Sequence, residues 1–211
     1  ISFSASATDP GPDTLNYTWD FGDGTAGVGA SVQHSYQNEG VYSVVLTVSD
    51  GDGGTATQNQ TVTVSNADPV LSAIVGDATG AEGEQLSWTA VASDPGSDTL
   101  TYSWSFGDGS PGVSNSTLPV ASHTYVNEGS YQVSVVVSDG DGGTTTSLLT
   151  VVVSNAAPLL SNLTGTTSGQ EGDSYSYSVQ AADAGSGDVL SYSWNFGDGS
   201  APVVTTTGQV T

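Results

Sequence analysis

The sequence predicts an all-β protein: tandem immunoglobulin-like, seven-stranded antiparallel β-sandwiches joined head to tail. Three observations predict it. Apolar residues alternate at a period of two, and no stretch carries the 3.6-residue period of a helix. The alternating runs are short and separated by clusters of Gly, Pro, Asp, Asn and Ser, which end strands. A whole unit of this kind then recurs along the chain: His34 and His123, Asp50 and Asp139, and Asn66 and Asn155 each stand 89 residues apart.

The strands follow in order within that unit. "LSWTAVAS" (86–93) and "LTYSWSF" (100–106) place aromatic and aliphatic residues on one face. "YQVSVVVSD" (131–139), with its counterpart "YSVVLTVSD" (42–50), is a valine-rich alternating run, and "LTVVVS" (149–154) matches "TVTVS" (61–65). With the shorter runs between them this gives about seven strands per unit, the number of an immunoglobulin-like sandwich. The chain has no Cys, so packing alone must hold the two sheets together.

Trp19, Trp104 and Trp194 recur at intervals of 85 and 90, so three copies share the sequence. Residues 1–65 are expected to form a repeat lacking its first strand, 66–154 a complete repeat, and 155–211 the N-terminal part of a third. Ile1 aligns with Leu86, an end pattern expected of a segment of a longer chain.

Charge excludes whole classes of partner. There are 22 acidic residues and no Lys or Arg, a formal net charge of −22. Nothing can neutralise phosphates, which argues against nucleic acid and anionic membrane surfaces, whereas cations are attracted. Disorder is not expected either, because 36% of residues are hydrophobic, with four Trp and nine Tyr. No run approaches the roughly 18 apolar residues of a membrane-spanning helix, so direct membrane insertion is not expected.

The acidic glycine-rich loop "FGDG" occurs at 21–24, 106–109 and 196–199. Gly supplies positive φ and Asp bonds its own neighbouring backbone, which is turn chemistry. A phosphate loop would want a helix N-terminus and usually a Lys, and neither follows. "SDGDGGT" (49–55 and 138–144) offers Asp50 and Asp52, then Asp139 and Asp141, at a spacing suited to a hard cation such as Ca2+. In a sandwich its pole is shared with "SDPGSD", which adds Asp94 and Asp98, or Asp9 and Asp13 in the first copy. Ca2+ is the one cofactor these residues suggest. At the other pole, Glu82, Glu84 and Glu128 should face the acidic pole of a following repeat, where cations would stiffen the junction. His34 and His123 are too isolated for a His-rich metal site or a catalytic triad and read as hydrogen-bonded structural residues. The sequons at Asn16, Asn59, Asn115 and Asn162 are expected by chance in a chain so rich in Ser and Thr, and are expected to carry sugars only where the source glycosylates its surface proteins.

"YTWDFGDGT", "HSYQNEGVYSVVLTVSDGDGG" and their copies strongly resemble the PKD domain, the immunoglobulin-like repeat named after polycystic kidney disease protein. The resemblance covers essentially the whole chain. It implies an extracellular or cell-surface location and a role in spacing or contact without catalysis. The expected function is a structural spacer, stalk or filament segment in adhesion or surface architecture. The expected partners are neighbouring repeats of the same chain, with lateral self-association or a cell-surface or glycan ligand beyond them. The alternative is an accessory carbohydrate- or protein-binding module of a secreted hydrolase.

Overall fold

The computed structural model describes residues 1–11 and 13–211. Among them every regular element is a strand. The first repeat contains β1 (Ser2–Ser4), β2 (Asn16–Asp20), β3 (Ala26–Val28), β4 (Ser31–Gln33), β5 (Gly40–Ser49) and β6 (Thr55–Val64). The second contains β7 (Val70–Gly76), β8 (Thr79–Ala81), β9 (Gln85–Ser93), β10 (Thr101–Ser105), β11 (Val113–Ser116), β12 (Val120–Thr124), β13 (Gly129–Ser138) and β14 (Thr144–Ser154). The third contains β15 (Leu159–Gly165), β16 (Tyr177–Ala182), β17 (Tyr192–Trp194), β18 (Val203–Thr205) and β19 (Gln209–Val210).

The second repeat shows the architecture in full. One sheet runs β12-β9-β7 and the other β11-β10-β13-β14-β8. All pairings are antiparallel except β14 with β8, where Ser154 lies opposite Ala81 in a parallel register. The opening strand is thus divided between the two sheets, which the periodicity could not indicate. Trp88 marks the crossing: its indole N–H donates to the Asp77 carbonyl at 2.7 Å, and the Asp77 carboxylate accepts the Ser87 amide at 2.8 Å.

Period-two alternation becomes burial. On β13, Val133, Val135 and Val137 are fully buried, whereas Val136 between them is exposed. They meet Trp88 and Leu86 of the facing β9, Tyr125 just beyond β12 and Val151 of the neighbouring β14 in one core. Removing such a side chain from water stabilises a sandwich by about 1.5–3 kcal/mol each, which lets the fold stand without a disulfide. The first repeat builds a smaller version from Phe3, Trp19, Phe21, Val44, Leu46 and Val48.

Candidate functional site

The FGDG loop is a corner clamped by the histidine. Asp108 Oδ1 accepts the Ser110 amide at 3.0 Å and its hydroxyl at 2.6 Å, and Oδ2 lies 2.7 Å from His123 Nε2. A carboxylate only accepts, so Nε2 carries the proton in that bond. The His123 ring stacks on Phe106 at 4.3 Å with 4° between planes, and stands edge-on to Tyr125 at 4.8 Å. The Tyr125 hydroxyl then donates to the Phe106 carbonyl at 2.9 Å. Burial pushes that hydroxyl up to about 12. The first repeat repeats every element: Asp23 Oδ2 to His34 at 2.6 Å, His34 stacked on Phe21 at 4.0 Å, and Tyr36 donating to the Phe21 carbonyl at 3.0 Å. The Thr25 hydroxyl, then His34, hold Asp23 at about 2 despite its desolvation. Burial raises Asp108, but the bonds from Ser110 and His123 outweigh it and leave a net lowering. Both histidines are thereby structural. His123 sits on β12, while His34 falls just beyond β4.

The first glycine of the loop is fixed by contact as well as by backbone angle. Gly107 has φ +79°, and a methyl group there would lie 2.6 Å from the Gln132 carbonyl oxygen. Gly109 has φ +81° with open space around it. Both carboxylate oxygens of Asp108 are occupied in holding the turn.

The "SDGDGG" loop turns on its first aspartate. Asp139 Oδ1 accepts the amides of Asp141 and Gly143, each at 2.9 Å, and Oδ2 accepts from Asn66 at 2.8 Å. Asn66, with the desolvation opposing it and the loop amides assisting, holds Asp139 below the usual carboxylate range. The linker residue is thus tied to the loop of its own repeat. Asp50 makes the same two amide bonds to Asp52 and Gly54 in the first repeat, and Asp9 accepts the Gly11 amide at 2.6 Å. Asp9 and Asp50 line one small cleft, and Asp13 lies beside Gly11. Asp52 contributes its amide to the turn and its side chain stays exposed. In the second repeat Asp94 accepts the Gly96 amide at 2.7 Å through Oδ1, leaving a buried Oδ2 without a hydrogen-bond partner.

The remaining two aspartates also face the preceding repeat. Asp98 and Asp141 meet Glu39, each offering a carboxylate oxygen within 4.8 Å of the others. Burial raises Asp98, with the charges of Glu39, Asp94 and Asp141 adding to the effect. At the next junction Glu82 and Glu128 meet Asp188 of the third repeat within the same distance. Burial again raises Asp188, followed by Glu82, Asp183 and Glu128. Direct bonds hold the surfaces together: the Ser186 amide donates to the Val126 carbonyl at 3.2 Å, and the Gly187 amide to Asn127 Oδ1 at 3.3 Å. Glu84 takes no part, since its Oε2 accepts the Ala81 amide and closes its own turn.

A family model for the PKD domain matches residues 1–64, 66–153 and 155–211. The chain belongs to the PKD domain family. Among curated relatives, a microbial collagenase of Vibrio alginolyticus is 44% identical over 66 residues, 31% of this chain and 8% of its own length. Collagenase ColA of Clostridium perfringens is 43% identical over 54 residues, 26% of this chain and 5% of its own. The chain therefore corresponds to under a tenth of either relative. Among solved structures, the PKD domain of an M14-like peptidase from a Thermoplasmatales archaeon shares 25% identity at a TM-score of 0.36, over 42% of this chain and 98% of that one.

Within these PKD repeats, "NEG" (38–40) places Glu39 at the same pole as Glu128, but sequence reasoning did not name it as a junction residue and missed Asp188 and Asn66. Asp188 hides behind a one-residue insertion, "GSGD" for "GSD", yet it stands six residues before Trp194 as Asp98 stands six before Trp104. Asn66 was visible only as one half of the Asn66/Asn155 repetition.

Proposed function

We propose that the chain is a non-catalytic structural segment, a spacer in a longer extracellular or cell-surface protein. The observation that carries this reading is the recurrence of one junction. Glu39 with Asp98, and Glu128 with Asp188, meet at equivalent places, so successive repeats dock through the same surfaces. Docked repeats transmit position along an array, and a Pro near each linker, Pro69 and Pro158, fixes φ where the chain crosses. The ionisable and aromatic groups of the FGDG corners are engaged in holding turns, which supports a mechanical role. A surface with a formal net charge of −22 resists collapse of one repeat onto another.

Small-angle X-ray scattering tests the spacer reading. Ten-residue strands rise about 33 Å, so with loops each repeat should add roughly 40 Å and the chain about 120 Å. A maximum dimension near that of a single globule of this mass would sink the proposal. A second reading is favoured by the relatives, which include collagenases: an accessory module of an extracellular hydrolase that contacts protein or carbohydrate. That reading expects measurable retention on a protein or polysaccharide matrix, while the spacer reading expects none.

A further inference from the structure

Resting on the reading of the chain as a docked array, we propose that the junction between the second and third repeats is a divalent-cation site of Ca2+ type. Its ligands are Glu82, Glu128 and Asp188. Glu82 is the informative residue. It is only 3% exposed, its Oε1 accepts the Ala156 amide at 2.9 Å, and its Oε2 is buried without any hydrogen-bond partner. That unpartnered oxygen points across the junction: a methyl group on Gly185 would lie 2.9 Å from it.

A carboxylate in such a place is retained when it is paired or coordinates a metal. This chain has no cation of its own to offer. It contains no Lys or Arg, and both histidines are spent on Asp23 and Asp108. Two further carboxylates converge instead, so like charges accumulate around the buried oxygen. The partner must come from solution.

The geometry suits Ca2+. One oxygen from each residue lies within 4.8 Å of the others, a set that a single ion with bonds of about 2.3–2.6 Å can reach. The ligands come from three separate loops on two repeats, an irregular arrangement that Ca2+ accepts and that the strict octahedron of Mg2+ does not. The first junction supports the assignment from different residues. Glu39 and Asp98 repeat Glu128 and Asp188, and Asp141 supplies a further carboxylate from the following repeat. Each junction thus takes ligands from both sides, so binding is coupled to docking.

Isothermal titration of the full chain with CaCl2 at constant ionic strength tests the site, with melting temperature followed in parallel. The expected result is Ca2+ binding that raises the melting temperature. Glu82→Gln and Asp188→Asn should each remove one bound equivalent and part of that rise. Glu82→Gln keeps the acceptor for the Ala156 amide, and Asp188 is exposed, so if the first variant fails to fold the second carries the test. The proposal is overturned if no binding occurs at millimolar Ca2+, or if NaCl at matched ionic strength stabilises equally. Unchanged stoichiometry in a folded variant also overturns it. Scattering on the same samples separates the two proposals, because an extended chain that binds no Ca2+ removes this site and leaves the spacer standing.

Discussion

Replacing Tyr125 by Phe should destabilise the second repeat more than replacing Tyr36 destabilises the first. The two tyrosines do the same job, donating to the carbonyl of the Phe that opens the FGDG loop, at 2.9 and 3.0 Å. They differ in burial: Tyr125 is 1% exposed, whereas Tyr36 is half-buried. A net hydrogen bond contributes about 0.5–1.5 kcal/mol, and an orphaned buried carbonyl costs about 1–3 kcal/mol. At Tyr125 water cannot replace the lost donor, so the loss should be about 2 kcal/mol. At Tyr36 water can reach the carbonyl, and the loss should stay near 1 kcal/mol. For a domain of this size 1 kcal/mol shifts melting by roughly 4–8 °C. Tyr125→Phe should therefore lower the second repeat's transition by about 8–16 °C, and Tyr36→Phe the first repeat's by about half that. Differential scanning calorimetry, with the transitions resolved, reads both shifts. Equal shifts, or a larger one for Tyr36→Phe, would refute the argument that burial sets the worth of this bond.

The glycines and the carboxylates give two further predictions. Gly107→Ala should cost several kcal/mol, from its positive φ and the clash with the Gln132 backbone, while Gly109→Ala, with open space, should cost only about 1–2 kcal/mol; urea midpoints check the ordering. Stability measured in chelator should pass through a maximum as pH falls. Asp98 and Asp188 have raised folded values, so the stability they withhold at neutral pH returns as pH drops through those values toward 3.8. Asp23 is held at about 2, so the stability it contributes above 3.8 is lost as pH falls from there toward 2. Asp188→Asn should flatten the upper limb alone, and a steady decline from neutral to acid in the unaltered chain would contradict this assignment.

Much of this protein is legible because its information is local. The alternation of Val133, Val135 and Val137 declares a strand with one buried face, since successive side chains must point to opposite sides of a pleated backbone. Gly22-Asp23-Gly24 declares a turn, because only glycine takes those angles freely and Asp closes a turn on its own neighbours. The repetition of Trp, His and Asp sets the unit length. A cluster of carboxylates at one pole, and glutamates facing it from the preceding repeat, also follow from strand order alone.

What the tertiary structure decided is which of those carboxylates are spent and which remain. Asp139 and Asp98 are both loop aspartates of one pole, yet the oxygens of Asp139 are taken by two loop amides and Asn66, while Asp98 meets Glu39. Glu84 resembles Glu82, yet one caps its own turn and the other is buried with an oxygen facing Asp188's loop. A hydrogen bond or a desolvated charge depends on distances of a few tenths of an ångström between segments far apart in sequence. Periodicity reports only which face a residue occupies; the packing of one repeat on the next determines what that face meets.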